Sequence, residues 1–361
     1  MEKVKSFWGY LTWFGEGRTP IHLIFVFLFL ISCKTDFKPL SKSDNNFKLT
    51  TIVQLQDSIY SQKIDTFYDN GLAGNFIGKD SVSIYYKIFE QSHTDKAILI
   101  SSGRTEAAIK YKELIFDLFN NGYSVYIHDH RGQGQSGRMV TDRDMGYVSN
   151  FQFYIDDMKH FYDNYLKPKK HKKIYLLTHS MGGAVGMTYL EQYPKDFNAA
   201  AFSSPMLGLT LGICTTVELL EGEEPEYVLG ASKYDDTKAD FEGNTLTGSK
   251  VRFDRMIDVF AKEPEARLGG ATYKWVNESC LQFDIMFENI DKIETPFILF
   301  SAENEQIVAT SAHQEFMDEA KVLEKNCQAY VVKNAQHELF IEKDIQRIET
   351  INSTLNFFNG F

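Results

Sequence analysis

Thr178-His179-Ser180-Met181-Gly182-Gly183 follows a short apolar run from Lys173 to Leu177 and precedes an apolar, small-residue helix pattern from Ala184 to Tyr193. The pattern is strand, sharp turn, helix, with a serine at the apex. A serine hydroxyl is a poor nucleophile until a base takes its proton. A strained turn at a strand's end exposes it and aims the next residue's N–H at a developing oxyanion. Gly182 and Gly183 let the new helix pass close to the strand, and a helix N-terminus favours negative charge nearby. Ser180 is therefore the expected nucleophile and the Met181 N–H one expected oxyanion donor. The usual pattern is GxSxG, and Thr178 replaces its first glycine, so a small β-branched side chain has to fit there.

Outward from this turn, strand and helix signals alternate. Toward the N-terminus, Gly78-Lys79-Asp80 separates Asn75-Phe76-Ile77 from the alternating Val82 to Phe89 run, which predicts an antiparallel start. Ala97 to Ile100 reads as a buried parallel strand. The stripe of Ile109, Leu114, Ile115, Leu118 and Phe119 predicts a helix, and Asn121-Gly122 its stop. A strand at Tyr123 to Ile127 and a helix at Tyr154 to Tyr162 lead to the strand feeding Ser180. Beyond it, Ala199 to Phe202, Pro296 to Phe300 and Gln328 to Val332 read as strands, and Ile345 to Phe358 as a closing helix. This alternation predicts an α/β fold with a doubly wound, mostly parallel sheet.

Residues 206–294 break the rhythm with acidic, glycine-containing and amphipathic pieces, and an insertion at that edge of the sheet belongs over the serine as a lid. The core is expected over 61–205 and 295–361. At the start of the chain, 21–32 form an apolar segment of signal-peptide length, too short to span a bilayer, with Lys3, Lys5 and Arg18 ahead of it. Leu30-Ile31-Ser32-Cys33 resembles a bacterial lipobox, so 1–33 is expected to direct export, with Cys33 lipidated and the protein anchored to a membrane of the cell envelope. Residues 34–60, rich at first in Lys, Ser, Asp and Asn, read as a tether.

The chain has 361 residues and is 43% hydrophobic, enough for a large core. Its formal net charge of −11 argues against a nucleic-acid surface, and the basic run Lys167 to Lys173 reads as a solvated loop. Cys214, Cys280 and Cys327 are widely spaced with no CxxC pair. This suggests neither a disulfide framework nor a zinc site; one bridge would be compatible with an oxidising compartment, but buried thiols are the expected state of all three.

The partners of an elbow serine follow in the order acid, then histidine, each after a late strand. Ser301-Ala302-Glu303-Asn304-Glu305 follows the Phe297 to Phe300 strand, and Asn334-Ala335-Gln336-His337 follows the last one. His337 alone of the nine histidines lies beyond the final strand, which makes it the expected base. Glu305 and Glu303 both qualify as the carboxylate that orients it. A second oxyanion N–H should come from the loop after the Ala97 to Ile100 strand, and Arg104 is the choice, with Gly103 permitting the close turn.

Two other patterns read as decoys. Gly132-Gln133-Gly134-Gln135-Ser136-Gly137 fits a dinucleotide fingerprint, with Asp156 and Asp157 downstream, yet no helix opens there. His128 and His130 share one strand face without a further ligand cluster, so they read as hydrogen-bonded structural histidines.

These residues resemble the α/β-hydrolase superfamily, and within it the bacterial lysophospholipase and monoacylglycerol lipase group, over roughly 72–358. The likeness rests on Gly103 to Glu106 with Tyr111 and Leu114, on Asp129 to Arg138, on the elbow, on Leu268 to Val276, and on Asn334 to Asp344. It implies a cofactor-independent serine hydrolase acting on the acyl ester of a small lipid, and its register selects Glu305 where relatives usually carry Asp. A prolyl-aminopeptidase type of hydrolase shares the core, and a catalytically silent lipid-binding lipoprotein is the alternative from another class.

Overall fold

The computed structural model describes residues 35–210, 212–235 and 240–361, so the expected export segment, Cys33 included, lies outside the described residues. The strands are β1 (Lys38–Pro39), β2 (Leu72–Ile77), β3 (Ser83–Phe89), β4 (Lys96–Ser101), β5 (Ser124–His128), β6 (Lys173–His179), β7 (Ala199–Ser203), β8 (Phe297–Ala302) and β9 (Cys327–Val332). The helices are α1 (Ile52–Gln56), α2 (Ser58–Asp69), α3 (Lys112–Asn120), α4 (Gln152–Phe161), α5 (Met181–Gln192), α6 (Ile213–Leu220), α7 (Lys250–Lys262), α8 (Tyr273–Glu288), α9 (Thr310–Val322) and α10 (Asp344–Asn359).

The strands join one sheet in the order β1-β9-β8-β7-β6-β4-β5-β3-β2. Pairing is parallel except where β3 meets β2 and β5. Neighbouring side chains alternate between two cores: Leu99, Leu176, Phe202 and Leu299 enter one, Ile98, Leu177, Ala201 and Ile298 the other. With both faces covered, the middle of each central strand is apolar at successive positions, which is why these strands read as unbroken runs. Gly122, with φ +84°, follows α3 where the Asn-Gly stop was expected.

The expected tether over 34–60 is corrected by this structure. β1 pairs with β9, Lys38 opposite Tyr330, and Leu40, Leu49 and Leu55 are buried. The early Lys, Ser and Asp residues are largely exposed, but several polar side chains of the segment are engaged. Both side-chain ends of Asn45 bond the Leu49 backbone at 2.7 Å. Thr50 donates its N–H and hydroxyl to Asp117 at 3.0 and 2.7 Å. Thr51 and Gln54 form a reciprocal cap on α1.

The expectation of three buried thiols is also corrected. Cys214 of α6 and Cys280 of α8 form a disulfide, leaving Cys327 as the free cysteine among the described residues. A separation of 66 residues gave no spacing signal, but α6 packs on α8 and brings the two Cα atoms within 5.6 Å. Among the described residues no helix is long and apolar enough to cross a membrane.

Candidate active site

Ser180 sits between β6 and α5 at φ 51°, ψ −121°, a strained conformation for a residue with a Cβ. The turn is held on both sides. Ser180 N–H donates to Ser203 O at 3.1 Å, and Ser180 O accepts from Gly183 N–H at 2.7 Å and Met206 N–H at 2.9 Å. A Cβ on Gly182 would run into the Ser101 and Ser102 carbonyls, and one on Gly183 into Pro205. Gly186 makes the room that Thr178 needs, because a Cβ there would strike the Thr178 methyl. Met181 is the first residue of α5, so its N–H has no partner within the helix.

His337 Nδ1 lies 2.8 Å from Glu305 Oε2, and both side chains are buried. A carboxylate only accepts, so Nδ1 carries the proton and Nε2 is left as the acceptor. Burial would raise the Glu305 carboxyl, but the His337 bond and charge, with the N–H groups of Ile307 and Val308, hold it below the ordinary value. Glu303 points away. Its carboxylate takes Lys333 Nζ at 2.7 Å and Asn334 N–H at 2.8 Å. The structure thus brings Glu305, and not Glu303, to His337.

Ser180 and His337 line one cavity of about 440 Å³, together with Gly103 and Arg104. A Cβ on Gly103 would stand 3.1 Å from Ser180 Cβ, so this loop runs directly against the serine. The Arg104 side chain crosses to the 206–294 segment, where it donates to Gly269 O at 2.8 Å and lies over the Trp275 ring. Burial pushes its guanidinium down to about 10. That segment contributes apolar wall through Leu246, Phe260, Leu268 and Trp275.

One buried group beside the serine escaped sequence reasoning. Lys110 Nζ bonds both Glu106 and Glu338, Tyr111 donates to Glu106, and His179 Nε2 lies 3.1 Å from Glu338 Oε2. Burial opposes charge at each. The two carboxylates nevertheless raise Lys110 and His179, and the Lys110 and His179 charges hold Glu338 well below the usual range. Glu106, His179 and Glu338 stand close enough to share a cation, and the Lys110 ammonium bonds two of them. The available signals were slight: an i,i+4 Glu-Lys pair, and residues adjacent to Ser180 and His337.

The decoys resolve structurally. Asp157 pairs with buried Arg131 at 2.7 Å, while Asp129 accepts Ala108 and Gln135 N–H groups and shapes the glycine turn. His130 meets Ser101 Oγ at 3.1 Å. His128 departs from expectation: among the described residues neither ring nitrogen has a hydrogen-bond partner, and the ring packs on His130 and Phe161.

The family model for serine aminopeptidase, S33, matches residues 92–344. Lysophospholipase L2 of Escherichia coli (strain K12) is 34% identical over 295 residues, 79% of this chain and 86% of that protein. Monoglyceride lipase of Mus musculus is 23% identical over 290 residues, 80% of this chain and 89% of that protein. Among solved structures, a soluble variant of monoglyceride lipase from Saccharomyces cerevisiae, in complex with a substrate analog, aligns with a TM-score of 0.62 at 17% identity. That alignment covers 80% of this chain and 94% of the other.

Proposed function

The chain belongs to the serine aminopeptidase S33 family and has the α/β-hydrolase fold, and on that premise we propose that it is a serine ester hydrolase cleaving the acyl ester of lysophospholipids or monoacylglycerols. The observation that carries the proposal is the Glu305–His337 pair opening with Ser180 into one largely apolar cavity. In this reading His337 Nε2 takes the Ser180 proton as Oγ attacks the ester carbonyl. Glu305 fixes the tautomer and stabilises the imidazolium, and the Met181 and Arg104 N–H groups receive the oxyanion. The alcohol leaves with the proton from His337, and water then releases the fatty acid from Ser180. The relatives named as lysophospholipase and monoglyceride lipase support a small lipid as substrate. An aminopeptidase would need an unspent carboxylate for the substrate amine, and Glu106 and Glu338 are already engaged with Lys110 and His179.

Labelling by a fluorophosphonate, with release of fatty acid from lysophosphatidylcholine and from monoacylglycerol, tests the proposal. Both activities should vanish in Ser180→Ala and in His337→Ala, down to the ~10³–10⁴-fold over water that binding and an oxyanion hole supply. A tenth of wild-type kcat in either folded variant would overturn it.

Export and lipidation at Cys33 belong to the same proposal, giving an enzyme anchored in the cell envelope. The Cys214–Cys280 bridge supports an oxidising compartment. Mass spectrometry of the mature protein should find lipid on an N-terminal Cys33, and an unmodified Cys33 would refute the anchor.

A further inference from the structure

Glu342 lies five residues beyond His337 and is wholly buried. Its Oε1 accepts two backbone N–H groups, from Gln336 at 2.9 Å and from Gly248 at 2.8 Å, and its Oε2 accepts that of Lys343 at 2.7 Å. Gln336 immediately precedes His337. Gly248 belongs to the strap 244–249 that leads into α7. The same strap and loop meet at three more points: Glu338 N–H donates to Leu246 O at 2.8 Å, Thr247 Oγ1 to Ile341 O at 2.8 Å, and the Gln336 amide to Asn244 O at 3.3 Å. Arg252, in the first turn of α7, donates to Glu342 O at 2.7 Å. Leu246 in turn lines the cavity, whereas Glu342 does not.

From this arrangement we infer that Glu342 is a positioning residue that joins the lid strap to the loop carrying His337, so that lid placement and base alignment move together. The inference rests on the reading of His337 as the base. Glu342 touches no reacting atom. It acts by giving Gln336 and Gly248 one shared acceptor, which fixes the backbone on the N-terminal side of His337 relative to the wall above it. Misplacing a reacting group by about 1 Å costs on the order of 10² in rate, so a loosened loop should register in kcat. The amide oxygen of a glutamine can still serve the shared acceptor position, leaving only the Lys343 N–H opposed. Alanine leaves all three N–H groups buried without their acceptor.

The test uses the full chain and compares Glu342→Ala, Glu342→Gln, Thr247→Val and Ser180→Ala by circular dichroism, thermal melting, fluorophosphonate labelling rate, and kcat and KM on lysophosphatidylcholine. For folded Glu342→Ala the expected result is a kcat lower by about 100-fold, with a smaller change in KM and slowed labelling. Glu342→Gln should stay within about tenfold of wild type, and Thr247→Val should lose several-fold in kcat. A folded Glu342→Ala with kcat within about threefold of wild type, or a Glu342→Gln as impaired as alanine, overturns the inference. If the alanine variant does not fold, an unchanged kcat in Thr247→Val overturns it. Ser180→Ala separates the two claims: turnover in that variant removes the proposed nucleophile, whereas a dead Ser180→Ala beside a normal Glu342→Ala removes only the coupling.

Discussion

Glu305 Oε2 holds His337 Nδ1 at 2.8 Å while Glu305 Oε1 is tied to the N–H groups of Ile307 and Val308 at 2.8 and 3.3 Å, so the acid is fixed at both oxygens. Glutamine can keep one set of these bonds but removes the charge that stabilises an imidazolium. Glu305→Gln is expected to lower kcat by a factor on the order of 10³, and Glu303→Gln by several-fold at most. Steady-state kinetics of both variants decide the matter, and the reverse ranking would move the acid's role to Glu303.

The elbow predicts an unusual response to alanine. Within a helix, Gly→Ala ordinarily gains about 1 kcal/mol. At Gly182 the new methyl would meet the Ser101 and Ser102 carbonyls, which are backbone atoms at the end of β4 with no rotamer to change. Overpacking of this kind costs about 1–3 kcal/mol, so the clash should win. Gly182→Ala is expected to melt lower and to label slowly with fluorophosphonate. A raised melting temperature with normal labelling would mean that the helix does not pass as close to β4 as the geometry requires.

These two sites also mark what was legible beforehand. The elbow could be read because its glycines, its apolar strand and its small-residue helix are contiguous in sequence, and His337 because it alone of the histidines follows the last strand. Choosing between Glu305 and Glu303 from the residues alone was out of reach, because the choice depends on how the turn after β8 curls. The buried cluster was hidden for a related reason: Lys110 and Glu338 are 228 residues apart. The N-terminal helices carried a local signal in Thr51-x-x-Gln54, a capping box, but the polar composition just before it outweighed that signal. The disulfide had none, since its two cysteines meet only through packing of α6 on α8.

Three buried histidines set a pH dependence of stability. Burial pushes His130 and His313 down to about 4, and burial with the neighbouring His130 holds His128 well below the ordinary value of 6.5. At these three positions the unfolded chain binds protons below pH 6.5 that the folded chain refuses, so their contribution to stability is intact above 6.5 and falls as the pH drops toward 4. Each group adds a slope of up to about 1.4 kcal/mol per pH unit. Glu191, pushed up to about 9 by burial, works in the opposite sense and costs stability as the pH rises from the ordinary 4.5 toward 9. His128→Phe should therefore lessen the acid-side slope by about one proton in denaturant titrations between pH 6.5 and 4.5. An unchanged slope would contradict the buried neutral state of His128.

Closing a 66-residue span, the Cys214–Cys280 bridge is worth up to about 4 kcal/mol in the chain-entropy view. Its effect should be local, because α6 meets the rest of the structure largely through α8. A Cys214→Ser, Cys280→Ser pair is expected to open the α6 region to limited proteolysis while the α/β core keeps its secondary structure. Equal protease resistance with and without the bridge would show that packing alone secures α6.

Substrate choice follows from the cavity's size and charge. At about 440 Å³ it lies in the lower half of the usual ~300–1,000 Å³ range for small-molecule sites, and Leu246, Phe260, Leu268 and Trp275 give it a wall suited to one acyl chain. Glu218, Glu221, Glu223, Glu224 and Glu226 lie on the same insertion, and the chain as a whole carries a formal charge of −11. An anionic head group therefore approaches against a repulsive field. Lysophosphatidylcholine should have a higher kcat/KM than diacyl phosphatidylcholine and than lysophosphatidylglycerol of the same acyl chain. The second gap should narrow as salt is raised toward 1 M, where screening shortens to about 3 Å, and the first should not. Faster cleavage of the two-chain lipid would defeat the single-chain assignment. A lysophosphatidylglycerol disadvantage that salt leaves untouched would place its cause in contacts within the cavity and not in the acidic surface.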